Sequence, residues 1–134
     1  MPTQNCPCES AQPYTQCCEP LHRGHAKAPT AEALMRSRYS AYVKGEIDYL
    51  VATTLPAVRT TNLWVDYDST AKTIDWIGLE VLRVQQGGPN DKVGKVEFRA
   101  NYLQSSEKTI HHELSRFRRY RGDWCYVDGV VSDE

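Results

Sequence analysis

The chain has 134 residues, 40% of them hydrophobic and 25% charged, which fits one globular domain with a small appendage. With 16 basic against 17 acidic side chains the formal net charge is −1. That excludes a dominant basic field for nucleic acid or an anionic membrane, and no apolar run reaches the ~20 residues of a membrane span.

The opening stretch, 1–27, is rich in Cys, Pro, Gln and Glu and poor in aliphatic residues, so it cannot build a core alone. It is polar and cysteine-rich and does not read as a signal peptide. A cytoplasmic location is therefore expected, where thiols stay reduced and serve as metal ligands rather than disulfides. Four of the five cysteines, Cys6, Cys8, Cys17 and Cys18, fall in this stretch, while Cys125 stands alone. Two close pairs joined by a short loop can complete a tetrahedral zinc shell. His22 is an alternative fourth ligand in place of Cys18. A filled shell leaves no open position for water or substrate, so one Zn²⁺ here holds structure. Arg23 and Lys27 are candidates to offset the surplus thiolate charge.

Thr30 reads as a helix N-cap, with the helix running from Ala31 to about Lys44 and stopping at Gly45. A short second helix covers Glu46 to Ala52 and is ended by Pro56. Between Thr61 and Ile74 the spacing of Leu63, Trp64, Tyr67, Ala71 and Ile74 predicts another helix face. From Trp76 the period changes to two. Leu79, Val81 and Arg83 alternate with their neighbours up to a turn at Gly87-Gly88-Pro89-Asn90, and Val96, Phe98, Ala100 and Tyr102 mark the apolar side of a second strand. Ser105 and Ser106 turn the chain into a third strand, Thr109 to Arg121. Gly122-Asp123 turns it into a fourth, Trp124 to Val131. Helices followed by an antiparallel meander mean α+β, in the order of a metal-binding segment over 1–27 and a domain over 28–134.

Cys6-Pro7-Cys8-Glu9-Ser10, Tyr14 and Cys17-Cys18 resemble the SEC-C motif that ends the bacterial translocation motor SecA, where it binds zinc and contacts the chaperone SecB. Glycine is usual in that motif where Glu9 and Ala11 stand here. Leu34-Met35-Arg36-Ser37-Arg38-Tyr39-Ser40-Ala41-Tyr42, Asp48-Tyr49-Leu50, Trp76-Ile77-Gly78-Leu79, Val96-Glu97-Phe98-Arg99-Ala100, Glu113-Leu114-Ser115-Arg116-Phe117 and Trp124-Cys125-Tyr126-Val127-Asp128-Gly129 resemble the YchJ-like family of bacterial proteins. The resemblance covers nearly the whole chain. It implies an NTF2-like (cystatin-like) domain, a curved antiparallel sheet around a long helix that leaves a cone, and it implies no particular activity.

Candidate cone residues are Arg36, Arg38, Tyr39, Tyr42, Trp76, Glu97, His111, Glu113 and Trp124. Arg38 lies in an apolar helical stripe with Leu34, Ala41 and Tyr42, so if buried it needs a partner. The expectation is that Arg38 or Arg36 pairs with Glu113 or Glu97 inside the cone. His111, Glu113, Ser115 and Phe117 share one strand face, and adjacent His111 and His112 must face opposite ways. The run Arg116, Arg118, Arg119 and Arg121 is split by the same alternation, so nucleic acid is not the expected partner. Trp64, Trp76 and Trp124 read as core or cavity walls. No nucleophile, base and orienting group assemble in the sequence, and no residue is assigned to catalysis. Two functions remain open. One is a zinc-stabilised module that meets a protein partner, a secretion chaperone or a ribosome-associated factor, through the knuckle. The other is a small-molecule binder or enzyme that uses the cone.

Overall fold

The computed structural model describes residues 5–132. Its elements are α1 (Glu19–His22), α2 (Ala31–Lys44), α3 (Ile47–Ala52), α4 (Leu63–Thr73), β1 (Asp75–Gln86), β2 (Val93–Gln104), β3 (Glu107–Tyr120) and β4 (Asp123–Ser132). The expected spans 1–27 and 28–134 include residues 1–4 and 133–134, which lie outside the described ones. No helix among the described residues is long and apolar enough to cross a membrane.

Helix α2 begins where the sequence placed its cap. Thr30 Oγ1 accepts from Ala33 N–H at 3.0 Å, and Gly45, at φ 75°, closes the helix with a bond to Ala41 O, as a left-handed C-cap glycine does. Helix α3 stops at Ala52, ahead of Pro56, because Thr53 already departs from helical geometry while its N–H still bonds Tyr49 O. The next residues then lie along β4: Leu55 N–H donates to Tyr126 O at 2.9 Å and Tyr126 N–H to Thr53 O at 2.8 Å.

The four strands form one antiparallel sheet in sequence order. Strand β3 starts two residues before Thr109, since Ser105 and Ser106, at φ 52° and 69°, make a two-residue hairpin turn that sets Gln104 opposite Glu107. The same geometry recurs at Arg121 and Gly122, φ 52° and 88°, so this pair, not Gly122-Asp123, turns β3 into β4. Register shifts near Leu82 and at Arg116–Phe117 interrupt the strict alternation, as bulges do where a sheet must curve.

Helix α2 packs on one face of this sheet. Ala31, Leu34, Met35 and Tyr39 meet Leu79, Val96, Ala100, Phe117 and Trp124 in a single buried cluster. Each fully buried side chain of the size of Leu34 or Val96 contributes about 1.5–3 kcal/mol. The start of α2 is pinned at both sides, by Ala31 N–H to Gly87 O at 2.9 Å and by Trp124 Nε1 to Pro29 O at 3.3 Å. Ala41, Ile47 and Leu50 form a second cluster, covered by Tyr42, Tyr67 and Ala71. Trp64, expected inside, is 46% exposed: its face of α4 turns outward and its Nε1 donates to Asp48 at 2.8 Å.

Candidate metal centre and cone

The knuckle is a tight loop and a helical turn facing each other. Cys6 N–H bonds Gln12 O at 2.7 Å and Glu9 N–H bonds Cys6 O at 3.3 Å, while Cys18 opens α1 through His22 N–H to Cys18 O at 2.9 Å. Closing the loop takes left-handed backbone at Glu9 and Ala11, both at φ 66°, which are the two positions where the SEC-C motif usually has glycine. The ligand atoms of Cys6, Cys8, Cys17 and Cys18 all lie within 4.8 Å of one another. Cys8 and Cys17 sulfurs are 3.6 Å apart and Cys17 and Cys18 3.9 Å. A tetrahedron with Zn–S near 2.3 Å has edges of ~3.8 Å, so the cluster has the dimensions and donor set of a closed thiolate metal site. Its electrostatics ask for a cation. Hydrogen bonds from Cys18 and then Cys8 hold the Cys6 thiol far below its ordinary range, whereas the bond to Cys6 drives Cys18 far above it and burial adds to that. The cluster cannot ionise throughout unless positive charge enters it.

The outer face of α2 carries the knuckle. Arg36 donates to Cys8 O at 2.6 Å, Ser40 Oγ lies 3.6 Å from Cys6 Sγ, and the Lys44 ammonium sits 4.5 Å from the centre of the Tyr14 ring. His22, the alternative ligand, is outside the cluster. Its Nε2 bonds the carbonyl of Ser37 at 2.9 Å, so that nitrogen carries the proton, and Nδ1 accepts from Tyr14 OH at 2.7 Å. Burial lowers its pKa, consistent with a neutral ring tying α1 to α2. His25 is exposed. The two expected counter-charges are engaged elsewhere, Arg23 with Glu46 at 2.7 Å and Lys27 with Asp123 at 3.6 Å, and the cations that touch the knuckle come from α2, Arg36 on the Cys8 carbonyl and Lys44 on the Tyr14 ring.

The cone opens between the inner face of α2, α4 and the sheet, with a volume of about 260 Å³. Of the residues expected there, Arg38, Tyr39, Tyr42, Trp76, His111 and Glu113 line it. The other three sit elsewhere. Arg36 projects from the opposite face of α2, and Glu97 lies on the far side of the sheet with His112, 2.7 Å away. Trp124 is buried under the Arg119 guanidinium, 4.4 Å from its ring. The two histidines do face opposite ways, His111 inward. Tyr67 and Tyr126, which the sequence reading did not place in the cone, complete it with Phe98, Ser115 and Phe117. Tyr67 belongs to the apolar face already visible on α4, and Tyr126 follows from the alternation of β4, but neither signal shows that the two rings converge on Arg38.

The expected buried ion pair does not form. Arg38, 6% exposed, donates to Leu50 O at 2.8 Å, Thr53 Oγ1 at 2.7 Å and Tyr67 OH at 2.8 Å. Its guanidinium carbon stands 5.3 Å from the Tyr67 ring centre and 4.7 Å from that of Tyr126. The Leu50 carbonyl at the end of α3, which also accepts from Thr54 Oγ1 at 2.8 Å, and two hydroxyls satisfy the donors that were expected to seek a carboxylate. Glu113 instead accepts from His111 Nε2 at 2.8 Å, from Ser115 Oγ, and from Tyr126 OH at 3.2 Å. Burial pushes its carboxyl up, but the bonds from His111 and Ser115 outweigh that and keep it below the ordinary range. Burial also raises the phenols of Tyr42 and Tyr126, so both stay protonated. Among the described residues, Trp76 Nε1 is the buried side-chain polar atom without a hydrogen-bond partner. Cys125 is buried, and burial raises its thiol pKa, which fits a packing role.

The model of a family described as the YchJ middle NTF2-like domain matches residues 30–129. A UPF0225 protein of Streptomyces coelicolor is 44% identical over 133 residues, covering 99% of this chain and 100% of that one. A UPF0225 protein of Geobacter sulfurreducens is 42% identical over 132 residues, covering 95% of this chain and 79% of that one. Among solved structures, a SEC-C motif containing protein from Rhodopseudomonas palustris superposes with a TM-score of 0.84 at 35% identity, over 97% of this chain and 100% of that chain. A SEC-C motif containing protein from Psychrobacter arcticus gives 0.79 at 33% identity, over 98% and 84%.

Proposed function

The chain belongs to the YchJ-like, UPF0225 family, and from that premise we propose that it is a zinc-binding interaction protein of the cytoplasm. One Zn²⁺ is held by Cys6, Cys8, Cys17 and Cys18, and the knuckle it closes is presented to a protein partner from the outer face of α2. The observation that carries this reading is the approach of the four sulfurs to within 4.8 Å of one another. The metal supplies cross-linking and no open coordination position, so its contribution is local folding free energy, on the order of 10 kcal/mol for structural zinc. Arg36, Ser40 and His22 then fix the loaded knuckle to the helix. Exposed Glu9, Gln12, Thr15 and Gln16 form the rim a partner would meet. The SEC-C resemblance supports a partner from secretion, with a ribosome-associated factor as the second candidate.

Native mass spectrometry tests the metal. The expected spectrum shows an excess of one zinc that disappears in Cys17→Ser. A metal-free protein whose knuckle is protease-resistant would refute it. Calorimetry with the purified secretion chaperone, and co-sedimentation with ribosomes, test the partner. Binding that is lost on chelation supports the interaction reading, and binding indifferent to zinc removes the knuckle from it.

A further inference from the structure

The cone holds a cation that makes no direct ion pair with any carboxylate of the described residues. Arg38 is buried and lines the cavity, yet its close bonds go to a carbonyl and two hydroxyls, and no carboxylate of the described residues pairs with it. A guanidinium has five N–H donors, and three of them are used in these short bonds. Neutral oxygens and the rings of Tyr67 and Tyr126 offset part of the desolvation cost, but a charge removed from water is ordinarily matched by an opposite charge. Glu113 is not in direct contact with the guanidinium: its hydrogen bonds come from His111, Ser115 and Tyr126. Much of the remaining wall is aromatic, with Tyr42, Trp76, Phe98 and Phe117 lining the same space beside Met35 and Ile74.

We propose that the cone binds a small aromatic monocarboxylate, its carboxylate on Arg38 and its ring among Tyr42, Trp76 and Tyr126. The class follows from three constraints. The volume of about 260 Å³ lies below the roughly 300–1,000 Å³ of drug-sized sites, so a single-ring ligand fits. Rings on several sides favour a planar apolar body in edge or offset contact, and the planar guanidinium fork matches a carboxylate. Glu113 sets the limit on charge. It stays ionised inside the same cavity, so a second negative group on the ligand meets a like charge in a dry site and is rejected. No residue of the knuckle is among those lining the cone, so this site stands or falls separately from the zinc reading.

The test is calorimetric titration of the full zinc-loaded chain with benzoate, benzamide and terephthalate. Benzoate is expected to bind saturably with Kd at or below about 1 mM, at least tenfold tighter than the neutral amide, and the dianion is expected not to bind. Arg38→Met is expected to abolish the preference for benzoate over benzamide. Should that variant fail to fold, Thr70→Phe fills the cone from the α4 side while keeping Arg38 and its hydrogen-bonding residues in the sequence, and is expected to weaken benzoate at least tenfold. Equal affinity for benzoate and benzamide, binding unaffected by Thr70→Phe, or no saturable heat from benzoate would each overturn the proposal.

Discussion

Replacing Gly129 with alanine probes how closely the sheet cradles the Glu113 carboxylate. Gly129 pairs with Ser115 across the β3–β4 ladder, and a Cβ built there stands 2.5 Å from Glu113 Cδ and 2.8 Å from Cγ. Glu113 is only 9% exposed and cannot swing into solvent, so the methyl group must displace an acid held by three donors. Overpacking of this kind costs about 1–3 kcal/mol, and a lost hydrogen bond to a charged group costs about 1.5–3 kcal/mol. Because the displacement relieves part of the clash, we expect a total near 3 kcal/mol, or about 10 °C in Tm for a chain of this size. Urea unfolding followed by circular dichroism reads it as a lower midpoint at unchanged slope. The decisive comparison is the double variant. With Glu113→Ala already in place the obstructing atoms are gone, and Gly129→Ala is expected to cost less than about 1 kcal/mol. A single-variant loss below about 0.5 kcal/mol, or strict additivity of the two changes, would refute the reasoning.

Ala11→Gly is expected to stabilise the zinc-loaded protein by about 0.5–1 kcal/mol, since the native φ of 66° strains any side-chain-bearing residue and outweighs the unfolded-state entropy of glycine; a lower unfolding midpoint would contradict this. Glu113 also predicts a pH dependence. Its folded pKa lies below the ordinary 4.5, so its contribution is complete above the unfolded value and is lost as pH falls through the folded one. The stability advantage of the native chain over Glu113→Gln should therefore shrink below about pH 4.5 in parallel urea titrations. An advantage that is constant or grows on acidification would reverse the assignment.

The elements were legible where local chemistry decides them. Thr30 and Gly45 bracket α2 because one side chain and one left-handed glycine satisfy the helix ends, and the orientation of His111 against His112 follows from strand geometry alone. The cysteine cluster was legible because its spacing is itself the constraint. Partners across the fold were not. Arg38 sits where the helical stripe put it, but its acceptors come from the end of α3 and from α4, and no periodicity ranks a helix-end carbonyl against a distant carboxylate. For Glu113 a signal was present: His111 and Ser115 stand two residues to either side on the same strand face, nearer than any arginine. Arg36 and Arg38 are two residues apart on a helix and therefore look outward and inward, which assigns one to the knuckle and the other to the cone. Trp64 shows the limit of apolar spacing, since an indole with an acidic neighbour is stable at the surface.

The bond between Trp124 and Pro29 joins residues 95 positions apart and bears on the order in which the molecule can be made. The buried side of α2 is completed only when β4 is in place, so during synthesis the helix emerges early with Leu34, Met35 and Tyr39 uncovered and must wait for most of the chain. Contacts of such separation are the slow ones to form. The cysteines lie within the short span from Cys6 to Cys18 and face almost no loop-closure delay, so the knuckle can close on the outer side of a helix whose inner side is still bare. The nascent chain then carries a finished surface and an unfinished core at once, and the interval between the two is when it most needs protection from aggregation.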